Sequence, residues 1–385
     1  MASSLSPLME PIHILGSGSI GLLWASSIRS AFPSYPLAVL FRSHHKSRLV
    51  GQRPMVSGGS KREEVMVCTM TSNKRRPRMA SVPVEFIGDN YNGRAPIRNL
   101  ILATKAYQAV DAVESILPRL WTRTPSLSPS SQNESNHALR IFILSNGALD
   151  VRDNLQHLFQ SQPNDKMPSP EWVLCTTTHG VVKEETDLGV EEDDDMEHMI
   201  HLTHVGMGRA FLGGHPAMTR LWDQSGLNAT LMADTSSPLS STTTTNQDDP
   251  MEVLLWKKLA GNCFCNPLTA LWEVTNGELM KHDQGPKLRQ QIVSEVSKVA
   301  QALHPTWCKS NVSETALDAF VEQVIQDNLH NRSSMYYDVK RGRRTEVDSL
   351  NGFIVRHGKN LGIDTPANEE LFHAIQSITS PSGNQ

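Results

Sequence analysis

The chain has 385 residues, 38% of them hydrophobic, and a formal net charge of −4. That length allows two domains with cores of their own, and the negative balance argues against the global basic field of a nucleic-acid binder. No apolar run approaches the ~18 residues a membrane span needs, the opening MASSLSPLMEP lacks the order of a secretory signal, and five cysteines show no framework spacing. A reduced, cytoplasmic protein is expected, with no membrane or nucleic-acid partner; the mitochondrion is the alternative compartment.

In chain order, PIHIL (11–15) reads as a short strand. Glycines follow, then the helical run IGLLWASSIRSAF. PLAVLFR (36–42) is a second strand. RNLILAT (98–104) is a third, followed by the helical KAYQAVDAVESILPRL, and LRIFILSN (139–146) a fourth, followed by LDVRDNLQHLFQ. EWVLCTTTHGVV (171–182) and HLTHVGMGRAFLG (201–213) also read as strands. Strand–helix alternation with nearly continuous apolar strands is the pattern of a parallel sheet covered on both faces. After about residue 250 the strand signals stop, and amphipathic helices are expected over 251–272, 283–304, 313–329 and 346–361. Polar stretches at 122–137, 183–198 and 234–250 read as loops, as does the basic 57–79 with its short apolar patch. The fold class expected is an α/β Rossmann-type domain, residues 1–248, followed by an all-α domain, residues 249–385.

ILGSGSIG supplies Gly16, Gly18 and Gly21 as G-x-G-x-x-G between the first strand and the first helix, the context that gives this weak pattern meaning. Gly16 permits the turn, Gly18 lets a pyrophosphate approach, and Gly21 lets helix and strand pack closely. Ser17, Ser19 and Ile20 complete the loop at the helix N-terminus. The second strand ends in Arg42, followed by Ser43, His44, His45 and Lys46, where NAD-binding folds often carry an acid. A cationic fork suits a 2′-phosphate, so NADP(H) is favoured; a solvated basic loop is the simpler alternative. HVGMGRAFLGG (204–214) is not a second fingerprint, because Phe211 stands at the third glycine position; a hairpin or edge strand is expected.

In open α/β sheets ligands sit beyond the carboxyl ends of the strands. Lys105 and Asn146 stand at two such ends. Each alone also reads as an ordinary helix-start or turn residue; together they form a candidate site.

LLWKKLAGNCFCNPLTALWEVTNGEL (254–279) places two cysteines beside lysines and asparagines. On a helix Cys263 and Cys265 lie about 200° apart, so they share neither a metal nor a disulfide. No metal is expected there, and both thiols read as small core residues. Lys258, Asn262 and Asn266 share one face by their i, i+4, i+8 spacing. Two asparagines have no propensity reason to be in a helix, but they suit a small oxygen-rich ligand. Pro267 is expected to break or kink this helix. NRSSMYYDVKRGRRTEVDSLNG (331–352) adds Asn331, Ser334, Asp338 and Glu346. Its KRGRR lacks the interleaved aromatics of a nucleic-acid patch, and Thr345 or Asp348 is a candidate cap for the helix that follows.

ILGSGSIGLLWA, LATKAYQ, LSNGALD, the 254–279 stretch and the 331–368 stretch together resemble ketopantoate reductases (2-dehydropantoate 2-reductases), in a eukaryotic form carrying polar insertions. The resemblance implies a Rossmann domain, a helical domain and a site in the cleft between them. It implies NADPH-dependent reduction of 2-dehydropantoate to (R)-pantoate, a step toward pantothenate and coenzyme A. It places the catalytic lysine on Lys258, not Lys257, and the active-site glutamate on Glu346. Substrate-binding groups fall on Asn262, Asn266, Asn276, Asn331 and Ser334. Arg42 falls near the 2′-phosphate, and Lys105 and Asn146 on the nicotinamide side. The acyl pocket stays open, so a reductase of another 2-oxo acid or ketone, or a noncatalytic NADPH-binding regulator, is the alternative. A homodimer is compatible with all of these.

Overall fold

The computed structural model describes residues 10–42, 63–71, 77–88, 96–120, 138–162, 169–184, 199–213, 221–232 and 249–379. The chain divides into two compact units, Met1–Met232 and Ala233–Gln385. The loop expected at 122–137 lies outside the described residues, as does nearly all of those expected at 183–198 and 234–250.

The first unit is α/β. Its strands are β1 (Ile12–Leu15), β2 (Leu37–Arg42), β3 (Glu63–Thr71), β4 (Arg78–Ile87), β5 (Asn99–Leu102), β6 (Arg140–Ile143), β7 (Glu171–Thr177), β8 (Gly180–Lys183), β9 (Met199–Gly206), β10 (Ala210–Gly213) and β11 (Ala229–Met232). The helices are α1 (Ser19–Ala31), α2 (Ala109–Glu114), α3 (Leu117–Leu120) and α4 (Ala148–Gln160). The strands form one sheet in the order β11-β10-β7-β6-β5-β1-β2-β4-β3-β9-β8. From β7 to β4 every pairing is parallel. β1 is fully buried on both faces, which is why its four residues need no polar alternation. The chain runs from β1 to one side through β2, then returns to β5 on the other. The topological switch point therefore lies at the carboxyl end of β1.

Two expectations change here. Residues 63–71, expected within a loop, form β3, which pairs antiparallel with β4. The apolar patch was the visible part of an alternation: Val65 and Val67 are buried, while Glu64 and Met66 face outward. The stretches 171–182 and 201–213 each break in two. β7 and β8 are separated by Thr178 and His179 alone, yet stand near opposite ends of the strand order. β8 pairs with β9 and β7 with β10, both antiparallel, so β9 and β10 are not partners in a hairpin with each other. The sheet thus folds back over α1, which packs on β1 to β4 and on β8. That enclosure buries every residue from Gly21 to Ile28. Trp24 meets Trp222 edge-on at 4.8 Å, and Phe142 meets the same ring at 6.2 Å.

The second unit is helical: α5 (Pro250–Trp272), α6 (Asn276–Leu279), α7 (Gly285–Leu303), α8 (Glu314–Asp327), α9 (Ser334–Lys340), α10 (Asn351–Leu361) and α11 (Pro366–Thr379). α5 starts at a cap in which Asp249 accepts from the Met251 amide at 2.8 Å, with Pro250 at the first helical position. α5 packs against α7, α8, α9 and α11. Among the described residues no helix is long and apolar enough to cross a membrane.

Pro267 does not end α5, which continues to Trp272. Proline has no N–H for the carbonyl four residues back, that of Cys263. The side chain of Asn351 supplies the donor instead, at 3.0 Å. A buried carbonyl left without one would cost about 1–3 kcal/mol. The helix expected over 346–361 also divides. Val347–Ser349 is a 3-10 turn, and Leu350, at φ −110° and ψ −96°, breaks it from α10. Neither Thr345 nor Asp348 caps α10; Asp348 instead faces Arg344 at 3.6 Å.

Candidate functional site

The glycine loop sits at the carboxyl end of β1, at the switch point. Gly16 has φ +131°, and a Cβ there would lie 2.6 Å from the Ala103 backbone at the end of β5. A Cβ on Gly21 would lie 2.0 Å from the Gly16 carbonyl. These two glycines close the loop onto its own scaffold. Gly18 differs: a Cβ there meets nothing within 4 Å. The protein itself does not require glycine at that point, so the space in front of it is open to a ligand. α1 begins at Gly18 with no side-chain cap and no acidic residue in its first turn. Its orphan amides and the positive end of its dipole therefore face outward, the arrangement that receives a phosphate. The residues present fit a dinucleotide.

The flanking strand ends carry the other expected groups. Arg42 is the last residue of β2 and is exposed; Ser43 to Lys46 lie outside the described residues. Lys105 precedes the 3-10 turn Ala106–Gln108 after β5. Asn146 lies in the turn after β6, before Gly147, whose φ of +67° opens α4. The two ends are tied together, because Ser145 Oγ donates to the Thr104 carbonyl at 2.7 Å. Sequence reasoning missed Lys183. At the end of β8, its Nζ donates to the Ser17 carbonyl inside the glycine loop at 3.4 Å. Only the folding back of β8 brings it there, and no local signal marked it.

In the second unit, α5 carries Lys258, Asn262 and Asn266 along one face of an unbroken helix. Lys258 is half-buried, and burial pushes its ammonium down to about 8, while the carboxylate of Glu346 pulls it upward. Glu346 is itself buried, at the entry to the 3-10 turn that precedes α10. Asn266 is 9% exposed, and Asn262 is partly exposed. Both amides are therefore available to hydrogen-bond a small oxygen-rich ligand.

α9 is fastened to the same stretch. Ser333 caps it, accepting from the Tyr336 amide at 3.2 Å, and donates to the Asn266 carbonyl at 3.2 Å. Thr269 Oγ1 donates to Ser333 Oγ at 2.7 Å. Exposed Ser334 and Asn331 are thereby held beside the Asn266 end of the stripe. Asn276, expected among the substrate-binding amides, has its side-chain and backbone nitrogens engaged by the chain. Its Nδ2 donates to the Asn328 carbonyl at 3.2 Å, and its amide to the Asn331 carbonyl at 2.9 Å. It brackets the turn that carries Asn331. Its buried Oδ1 has no partner among the described residues.

Cys263 and Cys265 are both buried free thiols. Burial, with Glu295 nearby, raises the Cys263 thiol well above its ordinary value, and burial pushes Cys265 up to about 12. No group of three or more His, Cys, Asp or Glu side chains that could hold a metal occurs among the described residues.

The ketopantoate reductase PanE/ApbA family matches residues 12–215, and its C-terminal family matches residues 251–379. The chain belongs to the ketopantoate reductase family. It is 26% identical over 370 residues to 2-dehydropantoate 2-reductase of Vibrio cholerae, covering 95% of this chain and 97% of that one. With the Escherichia coli O157:H7 2-dehydropantoate 2-reductase it shares 29% over 282 residues, 72% of this chain and 73% of the relative. Among solved structures, a PanE/ApbA family ketopantoate reductase from Ralstonia eutropha JMP134 superposes with a TM-score of 0.65 at 18% identity, covering 96% and 98% of the two chains. D-mandelate dehydrogenase with NADH and anilino(oxo)acetate gives the same TM-score at 19% identity and the same coverage. These structures share the fold: a mixed, largely parallel sheet followed by a helical region.

Proposed function

We propose that this ketopantoate reductase family member reduces the ketone of 2-dehydropantoate to the alcohol of pantoate, using NADPH, and so serves pantothenate synthesis. The observation that carries the reading is the face of α5: an ammonium tuned by Glu346, followed at one-turn intervals by the amides of Asn262 and Asn266.

Bound NADPH supplies a hydride to the ketone carbon. Lys258 does the complementary work. Its Nζ donates a proton to the ketone oxygen as that oxygen takes on negative charge, and water then restores the proton. A pKa near 8 suits this, because the group is charged at neutral pH and yet a stronger acid than an ordinary lysine. Glu346 keeps the ammonium charged and oriented. Asn262 and Asn266 bind the carboxylate and hydroxyl oxygens of the substrate without adding a competing charge. Asn331 and Ser334 border the same stripe, and Asn276 acts by holding the Asn331 turn. In the first unit the loop Gly16–Gly21 receives the pyrophosphate and Arg42 the 2′-phosphate, with Lys183 adding a cation beside the loop. Lys105 and Asn146 serve the nicotinamide side.

The assembly proposed is a homodimer, on the analogy of the dimeric ketopantoate reductase of Staphylococcus aureus, which shares this fold; sedimentation of the purified chain tests it. The test of the activity is NADPH consumption with a panel of 2-oxo acids. 2-Dehydropantoate should give the highest kcat/KM, and preference for an arylglyoxylate would favour a mandelate-type reductase on the same framework.

A further inference from the structure

A chain of buried polar groups in the second unit has no place in the chemistry above. The carboxylate of Glu295 on α7 accepts from the amides of Ala367 at 2.9 Å and Asn368 at 3.0 Å, at the N-terminus of α11. It also accepts from Asn368 Nδ2 at 2.7 Å. Asn368 Oδ1 then accepts from Asn351 Nδ2 at 3.0 Å, and the second proton of that Nδ2 goes to the Cys263 carbonyl, also at 3.0 Å. Asn351 and Asn368 are fully buried, and Glu295 is nearly so. The network fixes its own polarity. Both donors of Asn351 are used, and reversing its amide would set Oδ1 against two oxygens. The chain ends on the one backbone carbonyl of α5 that Pro267 deprives of its helical donor, and Cys263 follows Asn262 directly and precedes Asn266 by less than one turn.

We infer that Asn351 is a positioning residue: it replaces the hydrogen bond that Pro267 removes from α5, and so fixes the turn that aims Asn262 and Asn266 at the substrate. A helix with an unfilled gap at that turn would bend there, swinging Asn266 relative to Lys258. A buried donor anchored through Asn368 to a carboxylate holds the gap at one geometry. The effect falls on substrate binding, since the proton donor lies a turn before the gap. The inference rests on the proposed reductase reading for its kinetic consequence, though not for its structural one.

The test is a double-mutant cycle between Asn351 and Pro267. Asn351→Ala should raise KM for 2-dehydropantoate by roughly 10-fold, the scale of a lost buried hydrogen bond, with a smaller change in kcat and none in NADPH affinity. Pro267→Ala returns a backbone N–H to the Cys263 carbonyl, so in the double mutant most of the KM loss should disappear. If Asn351→Ala does not accumulate as folded protein, Pro267→Ala in the same chain should restore it. A double mutant as impaired as Asn351→Ala, or equally unfolded, overturns the inference, as does an Asn351→Ala enzyme whose KM is unchanged. Amide hydrogen exchange in α5 separates this from failure of the proposed activity. Even in a protein inactive on 2-dehydropantoate, Asn351→Ala should speed exchange at residues 259–266, and Pro267→Ala should slow it again.

Discussion

Glu346 and Lys258 act against each other's surroundings: burial brings the Lys258 ammonium down to about 8, and the Glu346 carboxylate resists that fall. The pairing gives a pH signature with a definite sign. Proton donation requires the ammonium, so kcat for ketone reduction should be level below about pH 8 and decline above it. Glu346→Gln removes the charge that favours the ammonium, so the declining limb should move to lower pH. A pH–rate profile checks this; a limb that stays in place or moves upward contradicts the coupling.

Gly16 and Gly18 should separate by mutation. Gly16→Ala forces a Cβ into the Ala103 backbone at a φ of +131° and should cost about 1–3 kcal/mol from backbone strain alone. Gly18→Ala meets no protein atom and should leave the melting temperature nearly unchanged, while weakening NADPH through collision with the phosphates. Thermal denaturation with and without NADPH reads both. Equal destabilisation of the two apo proteins would mean that Gly18 is structural.

Arg42→Ala should weaken NADPH far more than NADH, since only the former carries a 2′-phosphate. A charge-assisted contact is worth about 1.5–3 kcal/mol, or roughly 10–150-fold in affinity. Fluorescence titration with both cofactors measures it, and an equal loss for both would leave the 2′-phosphate to some other group.

The cysteines of α5 should behave as core. In the native protein an alkylating reagent at neutral pH should label exposed Cys308 and spare Cys263 and Cys265, whose thiols burial holds far from ionisation. Dialysis against EDTA should leave the NADPH-dependent rate unchanged. Stoichiometric zinc, or activity that returns only with zinc, would contradict it.

The residues of the two units differ in how far they could be read from sequence. The glycine loop and the Lys258–Asn262–Asn266 stripe are local: strand context and a four-residue spacing locate them. The strand β3 was obscured because only its inward residues are apolar in a polar, basic neighbourhood. Lys183 escaped notice because its place beside Ser17 depends on β8 folding back across α1. Of the break or kink expected at Pro267, the break does not occur, for a similar reason. Proline is a local rule, and the donor that overrides it, Asn351, comes from another helix. The hydrogen bond from Asn276 to the Asn328 carbonyl was not legible either, because only the folded turn supplies that partner.

The central claim is that Lys258 is the proton donor for NADPH-dependent reduction of 2-dehydropantoate, and one side-by-side assay tests it. NADPH oxidation with 2-dehydropantoate is followed for the wild type, Lys258→Ala and Lys257→Ala, with NADPH affinity measured for each. The wild type should show substrate-dependent oxidation with pantoate formed, Lys258→Ala a loss of ~10²–10⁴-fold in kcat at nearly unchanged NADPH affinity, and Lys257→Ala little loss. No oxidation by the wild type, or equal losses in the two lysine variants, would contradict it.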